Sequence, residues 1–464
     1  MNVNEKNRYL LENNHQGMDF WPKIKEYSES RNPFFFEFDL GQKLPVQPGL
    51  IIIRGPRQYG KSTWLELAIQ DTVEHFGIGS ALYLNGDEID DVDDLEQQIV
   101  NLEKMFPKKA KTKRIFIDEI SAVKNWEKAF KRLYDSGHLR DILVVTTGSN
   151  ARDLRRGSEK LPGRKGKLQQ SEYIFPPVSY QQFYKTCYRD LLHINVPPWV
   201  LYLYSGGSPL AINELMFDNI MPEFLVTLVK DWIQGDIISL GRDRISFKNI
   251  INTIFRFGTS SVGFAKLAKE SGLANNTVAA GYIEQLQDLL ILRPLLQKDI
   301  DKNIFLQKKP CKFLFSNTLA ATVLHPNSYR YLSDYKELDS DSRSFLLECL
   351  VLQELQRRIY FKKISFDTEI GFWKSEKNEI DFVVDNDLFE VKSGNASPLD
   401  FSWFHKTFPK HKLTIINKKN FETDQLKGVT IHDFLMSGPT LDFISEWEDP
   451  AEKHQLSERL KTDF

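Results

Sequence analysis

The chain has 464 residues, 41% of them hydrophobic and 27% charged, and a formal net charge of -2. That length suggests about three domains, and the near-balance of charge removes any global electrostatic reason to expect nucleic acid, so such contact must come from local patches. The three cysteines, Cys187, Cys311 and Cys349, are scattered without metal-ligand spacing, which points to a reducing, cytoplasmic setting rather than a disulfide framework. The start, Met1-Asn2-Val3-Asn4-Glu5-Lys6, is polar, and no apolar run approaches the about 18 residues of a membrane span.

In chain order, the apolar run Leu50 to Ile53 leads into Gly55-Pro56-Arg57-Gln58-Tyr59-Gly60-Lys61-Ser62 and then a helix-like stretch from Thr63. The octet has the GxxxxGK[ST] form of a phosphate-binding loop. Its glycines let backbone N-H groups curl around phosphate oxygens, Lys61 reaches the terminal phosphates, and the Ser62 hydroxyl ligates Mg2+. The helix N-terminus at Thr63 adds its partial positive charge, so the expected nucleotide cradle runs from Gly55 to Thr63.

A short strand at Ala81 to Leu84 is followed by Arg114-Ile115-Phe116-Ile117-Asp118-Glu119, which has the form of a buried strand ending in two carboxylates. Read with the loop, this is a Walker B element: Asp118 completes the Mg2+ shell, and Glu119 orients and polarises the attacking water. Read alone, it is a core strand capped by two solvated acids. The next apolar run, Ile142 to Thr146, ends in Thr147-Gly148-Ser149-Asn150, where Thr147, Ser149 or Asn150 can sense the terminal phosphate. Helical stretches at 63–75, 93–106 and 126–134 alternate with these strands, the pattern of an α/β doubly wound parallel sheet with ligands at the strand carboxyl ends. The extra strand between loop and acidic strand resembles the branch of P-loop ATPases that includes the AAA superfamily.

Two basic clusters follow, Lys108 to Arg114 and the group Arg152, Arg155, Arg156, Lys160, Arg164, Lys165 and Lys167. Solvated loops, a polyanion contact, or an arginine finger or sensor at Arg164 all suit such charge runs. Aromatic helical segments broken by Phe175-Pro176-Pro177 and Gly206-Gly207-Ser208-Pro209 then suggest a helical lid. Beyond it, helices at 262–271 and 276–290 with strands at 291–296 and 312–315 give a winged-helix candidate. Its second helix holds Glu284 and Asp288 but no Lys or Arg over 277–290, which favours a structural or protein-contact role over base reading.

The run Glu379-Ile380-Asp381-Phe382-Val383-Val384-Asp385-Asn386-Asp387-Leu388-Phe389-Glu390-Val391-Lys392 reads as a hairpin. With Asp385-Asn386 as the turn, Asp381 faces Glu390 and Glu379 faces Lys392 on one side. Opposed carboxylates with Cβ atoms about 5 Å apart repel one another, a cost that Mg2+ or Mn2+ held by both removes. Lys392 then steadies the attacking water or the scissile phosphate, the needs of metal-assisted phosphodiester hydrolysis. Glu348 sits inside the apolar helix Phe345 to Leu352, where an unpaired carboxylate is costly, so it requires a partner: the same ion or a salt bridge. An amphipathic ribbon with a charged wet face is the plainer reading of the hairpin.

Taken together and in order, Gly55 to Ser62, Ile117-Asp118-Glu119, Thr147-Gly148-Ser149, Pro162-Gly163-Arg164, Gly206-Gly207-Ser208-Pro209, Glu379-Ile380-Asp381 and Glu390-Val391-Lys392 resemble the prokaryotic AAA-superfamily ATPases that carry a carboxyl-terminal PD-(D/E)XK nuclease-like domain. The likeness covers about 35 to about 420. It implies a P-loop ATPase core with an N-terminal extension (1–170), a helical lid (171–244), a winged-helix-like domain (245–325), an α/β restriction-endonuclease-like domain (326–440) and a charged tail (441–464), a surface helix or disordered from Glu446 onward. It further implies ATP and Mg2+ as cofactors, catalytic roles for Glu348, Asp381, Glu390 and Lys392, and Mg2+ or Mn2+ held by Glu348, Asp381 and Glu390. The leading expectation is a cytoplasmic Mg-ATPase that couples nucleotide state to cleavage of DNA. The competing one is a nucleotide-driven switch that contacts a protein partner through a catalytically silent nuclease-like domain. A homo-oligomer is compatible with either, since Arg164 can act within its own subunit or on a neighbour.

Overall fold

Apolar runs in the first half of the chain pair into a parallel sheet in this computed structural model, which describes residues 2–12, 20–29, 34, 36, 40, 43–149, 151–166, 168, 170–239, 241–361 and 370–438. The expectations placed on Asn150, Lys167 and the tail 441–464 lie outside the described residues. Two units result, Met1–Pro176 and Pro177–Glu446.

In the first unit the strands are β1 (Gly49–Arg54), β2 (Ala81–Asn85), β3 (Arg114–Asp118), β4 (Leu143–Gly148) and β5 (Glu172–Ile174), in the order β2-β3-β4-β1-β5. All pairings are parallel, as near-continuous apolar strands with both faces covered require. Alternate side chains feed opposite layers: Leu50, Ile52, Ile115 and Ile117 on one side, Ile51, Ile53 and Phe116 on the other. The helices are α1 (Val3–Glu12), α2 (Pro22–Ser28), α3 (Lys61–Phe76), α4 (Val92–Met105), α5 (Trp126–Ser136) and α6 (Ala151–Glu159). Asp91 caps α4 by accepting from the N-H groups of Asp93 and Asp94, and Gly137 ends α5 in the left-handed conformation.

The amino-terminal helices are tied to this core by polar groups. β2 is an edge strand, and the Asn7 side chain covers its outer side, donating to Tyr83 O at 2.8 Å and accepting from Tyr83 N at 2.7 Å. Lys6 Nζ meets Glu66 Oε1 on α3 at 3.1 Å, with both side chains buried. The other Glu66 oxygen accepts from the N-H groups of Lys23 and Ile24 in the first turn of α2, where a carboxylate also complements the helix dipole.

The second unit opens with α7 (Tyr180–Leu191), α8 (Pro198–Ser205), α9 (Pro209–Asp218), α10 (Glu223–Ser239), α11 (Arg244–Phe257), α12 (Phe264–Glu270) and α13 (Asn276–Asp288). Between α8 and α9, Gly206 and Gly207 both take positive φ, and a Cβ on Gly207 would lie 2.8 Å from Pro177 Cβ. Ser208 then caps α9 and Pro209 begins it.

The strands that follow are β6 (Leu292–Asp299), β7 (Ile304–Phe305), β8 (Lys312–Phe315), β9 (Ile370–Lys374), β10 (Glu379–Val384), β11 (Asp387–Val391), β12 (Leu413–Asn417), β13 (Phe421–Glu422) and β14 (Leu426–Thr430). With them come α14 (Thr318–Leu324), α15 (Ser340–Phe361), α16 (Phe404–Thr407) and α17 (Ile431–Met436). The sheet is mixed, β13-β14-β12-β11-β10-β9-β6-β7, with β8 on β6. β6 pairs antiparallel with β8 through Leu292–Leu295 and parallel with β9 through Leu296 and Gln297. The sheet therefore joins strands from both sides of the boundary drawn at residue 325, and the pattern of 292–315 alone cannot reveal the later partner of β6.

Glu66→Ala removes the counter-charge of a buried lysine together with the acceptor for the first turn of α2. It should lower the stability of the first unit by about 3–5 kcal/mol, while Lys6→Met combined with Glu66→Leu should cost clearly less than Glu66→Ala. A urea-unfolding double-mutant cycle measures the coupling, and a value near zero would mean that the pair does not anchor α1 and α2.

Candidate functional site

Because the strands of the first unit are parallel and in register, their carboxyl ends share one edge: Arg54 lies beside Gly148, Ile117 beside Thr146, and Asn85 beside Asp118. The segment Gly55–Gly60 turns away from β1 at this edge. Gln58 and Gly60 have φ of 65° and 91°, the left-handed geometry that curls a backbone back on itself. Gly55 is needed for packing, since a Cβ there would come within 2.8 Å of Phe175 Cβ. Helix α3 starts at Lys61 without a side-chain N-cap bond, and Ser62 and Thr63 lie in its first turn, where backbone amides favour an anion. Arg57 is exposed and Tyr59 buried.

Lys61 is buried, and its Nζ donates to Gly55 O at 2.9 Å and Pro56 O at 2.7 Å. Burial lowers its pKa to about 8, against the opposing influence of Glu119 and Asp118.

Asp118 ends β3. Its Oδ1 accepts from Thr147 Oγ1 at 2.5 Å and from Glu119 N at 3.2 Å. Glu119 is held in the left-handed conformation, φ 50°, at a cost of about 1–2 kcal/mol for a non-glycine residue. Gly86 makes room for it, because a Cβ there would sit 2.3 Å from Glu119 O. Glu119 Oε1 accepts from Ser149 N at 2.9 Å, from Ser149 Oγ at 2.8 Å and from the Ser121 hydroxyl. Ser149 thus faces Glu119. The sequence reading had missed Ser121 and Gly86; a serine two residues after the acid was the one available signal.

Arg164 stands elsewhere. Its Nε and Nη2 donate to the Asp135 carboxylate at 2.8 and 3.2 Å, near the carboxyl end of α5. The adjoining Lys165 carbonyl accepts from Leu50 N, and Gly166 bridges to Gly49, so this segment borders the amino end of β1. The phosphate loop leaves from the other end of that strand. Within one subunit Arg164 is therefore not brought to the loop.

In the second unit, Phe382 pairs with Phe389 and Val384 with Asp387, so the turn falls at Asp385-Asn386, with φ 50° at Asp385. Asp381 and Glu390 come together: Asp381 N donates to Glu390 Oε2 at 3.2 Å, and Val391 N donates to Asp381 Oδ2 at 2.8 Å. Lys392 Nζ meets Glu390 Oε1 at 2.5 Å. Glu348 approaches from α15, and the group it meets was missed in the sequence. Lys312, the first residue of β8, places Nζ 2.7 Å from Asp381 Oδ1, 2.6 Å from Glu379 Oε1 and 3.2 Å from Glu348 Oε2.

The electrostatics follow from crowding. Burial and then Asp381 hold Glu348 well above the usual carboxylate range, with Lys312 opposing. The same two causes raise Glu390 to about 8, with Lys392 opposing. For Lys312 burial works against the charge, yet Asp381, Glu348 and Glu379 outweigh it and hold the amine well above its ordinary value. Among the described residues, no group of three or more His, Cys, Asp or Glu side chains is arranged to hold a metal ion.

Residues 47–184 match the AAA domain family. The first unit carries an AAA-type P-loop ATPase domain. A broader likeness reaches an uncharacterized protein of Methanocaldococcus jannaschii, 23% identical over 409 residues that cover 82% of this chain and 84% of the relative. Among solved structures, a Walker-type ATPase of Pyrococcus abyssi is 13% identical with a TM-score of 0.42, covering 66% of this chain and 94% of its own. The Orc1 protein of Aeropyrum pernix, solved with DNA, is 12% identical with a TM-score of 0.30, covering 65% and 91%. No helix among the described residues is long and apolar enough to cross a membrane.

Two outcomes test the geometry of the AAA-type domain. On the expectation that Glu119 accepts from the attacking water, serine donors that occupy its Oε1 lower that capacity, so Ser121→Ala combined with Ser149→Ala should raise basal ATP turnover by roughly 3–10-fold, the worth of one or two hydrogen bonds, with nucleotide affinity unchanged; slower turnover would mean that the serines hold Glu119 in a productive position. Bound phosphate favours the protonated amine of Lys61, whose pKa in the free protein is about 8. Below that value the charge is already present. Above it each pH unit should weaken ATP binding by up to about tenfold, with uptake of about one proton, as read by calorimetry in buffers of different ionisation enthalpy.

Proposed function

We propose that the protein is a Mg2+-dependent ATP hydrolase that acts as a nucleotide-driven switch, its second unit serving as a contact surface for a protein partner. The observation that carries the ATPase reading is the shared edge of β1, β3 and β4, which gathers the Gly55–Lys61 loop, Asp118, Glu119 and Ser149. Ser62 and Asp118 offer the hard oxygen donors that Mg2+ takes, and the ion supplies positive charge against the phosphate oxygens. Lys61 exchanges two neutral carbonyls for phosphate. Glu119, once released by Ser149 and Ser121, accepts from the attacking water and aligns it, because phosphoryl transfer is mainly positioning and charge stabilisation. Arg164 is proposed to act only on a neighbouring subunit, if the protein assembles into a homo-oligomer.

The reading in which the second unit cuts DNA needs a divalent ion shared by Glu348, Asp381 and Glu390. The residues there do not fit one, because Lys312 Nζ stands among the carboxylates; this favours the catalytically silent alternative. The helix pair α12–α13 with β6 and β8 supports a winged-helix-like reading whose second helix exposes Glu284 and no Lys or Arg, Asp288 being buried, a surface suited to protein more than to DNA. Three free, buried cysteines suit a reducing cytoplasm.

The test is ATP binding and hydrolysis by wild type, Lys61→Ala and Glu119→Gln, together with Mg2+ or Mn2+ and linear, circular or single-stranded DNA. Lys61→Ala should lose tight ATP binding, and Glu119→Gln should bind normally and turn over at least about 100-fold more slowly, as expected when a water-positioning group is lost. No DNA should be cut. Unchanged ATP affinity in Lys61→Ala would remove the ATPase reading, and cutting by wild type that is lost in Asp381→Ala would restore the nuclease.

A further inference from the structure

The carboxylate centre of the second unit has the acids of a metal site with an ammonium group set among them. Four acids converge there, Glu348, Glu379, Asp381 and Glu390, yet three ammonium groups are already paired with them: Lys312, Lys374 and Lys392. Four carboxyl groups against three ammonium groups leave at most one negative charge unbalanced even with every carboxyl ionised, and a divalent ion would overshoot it. We propose that Lys312 is the resident cation of this centre, taking the position between Glu348, Asp381 and Glu379 and closing it to Mg2+ and Mn2+.

Three features fix Lys312 in place. Its backbone is locked in the sheet, paired with Leu295 of β6. Its side chain has no exposure, so the amine has no route to water that does not pass through packed residues; the Phe372 ring lies 5.8 Å from Nζ. Its Nζ donates to Asp381 Oδ1 at 2.7 Å and to Glu348 Oε2 at 3.2 Å and forms an ion pair with Glu379 Oε1 at 2.6 Å, so three carboxylate oxygens from β10 and α15 surround it. Such an ammonium uses the oxygen atoms that a hard divalent ion would need, and Mg2+ would require them at about 2.0–2.1 Å around an ion next to a fixed positive charge. On the other side, Asp381 Oδ2 is taken by Val391 N and Glu390 Oε1 by Lys392. The centre is thus a cross-link between β8, α15 and β10 that is complete without a metal. This inference deepens the catalytically silent reading of the second unit and is independent of the ATPase reading.

The experiment is Mn2+ binding to the full-length protein without nucleotide, followed by electron paramagnetic resonance, in wild type, Asp381→Asn and Lys312→Met. Manganese at the AAA-type domain is common to all three and cancels in the comparison. Wild type and Asp381→Asn should bind equal amounts, and Lys312→Met, which keeps the volume and removes the charge, should gain one Mn2+ per chain. Loss of a bound Mn2+ on going from wild type to Asp381→Asn would overturn the proposal, as would a folded Lys312→Met that gains none. If Lys312→Met does not fold, the first comparison decides alone: equality sustains the proposal and a difference ends it.

Discussion

A buried ammonium must find acceptors, and three lysines that obey this constraint organise the protein. Lys6, Lys61 and Lys312 are each almost fully withdrawn from solvent. A lysine in such a place either loses its proton or collects oxygen atoms around it, and the elements that supply those oxygens are thereby drawn together. Lys6 takes a carboxylate from α3 and lies 4.3 Å from the centroid of the Tyr83 ring, which joins α1 to the helix that begins at the phosphate loop. Lys61 takes two carbonyls of its own loop. Lys312 takes three carboxylates from β10 and α15.

The difference between neutral and charged acceptors separates a site that can receive a ligand from one that is already full. Carbonyl oxygens compensate the charge of Lys61 only in part, and burial brings its pKa down to about 8. A phosphate oxygen is the stronger partner for such an amine, so exchange of carbonyl for phosphate is downhill. Lys312 has the opposite balance, with its proton held more firmly than in water by Asp381, Glu348 and Glu379 despite burial. Removing it would strand buried carboxylates, the costly outcome for any buried ion pair. By the same physics, one lysine is poised for an anion and the other excludes a cation.

What was legible in the sequence was what is local in the chain. The octet at 55–62, the strand that ends in Asp118-Glu119 and the hairpin turn at Asp385-Asn386 each depend on neighbours within a few residues, so spacing alone carries them. Lys312 was read only as part of a strand because its partners lie 36, 67 and 69 positions away, and nothing in Lys312-Phe313-Leu314-Phe315 shows which element will face it. One local cue existed: a charge at the head of a strand that is buried at all four positions. The placement of Arg164 was similarly illegible, since a basic residue after Pro162-Gly163 has no marker for the end of the sheet to which its loop returns. The Lys6 to Glu66 pair spans 60 positions and falls under the same limit.

Long-range pairing also decides how many bodies the second half of the chain contains. The family resemblance implied a lid, a winged helix and a nuclease-like domain, but polar contacts tie the first two to the third. Tyr180 Oη at the start of the lid meets His432 Nδ1 of α17 at 2.9 Å. Gln353 of α15 accepts from Thr318 N and donates to Gly206 O in the turn between α8 and α9. β6 leaves α13 and enters the same sheet as the Asp381 hairpin. Breaking any of these leaves a buried polar group without its partner, a penalty of about 1–3 kcal/mol each, so the segments resist separate motion. Helix α13 and the charged centre at Asp381 therefore belong to one body, and a centre completed by Lys312 stiffens that body without waiting for a metal.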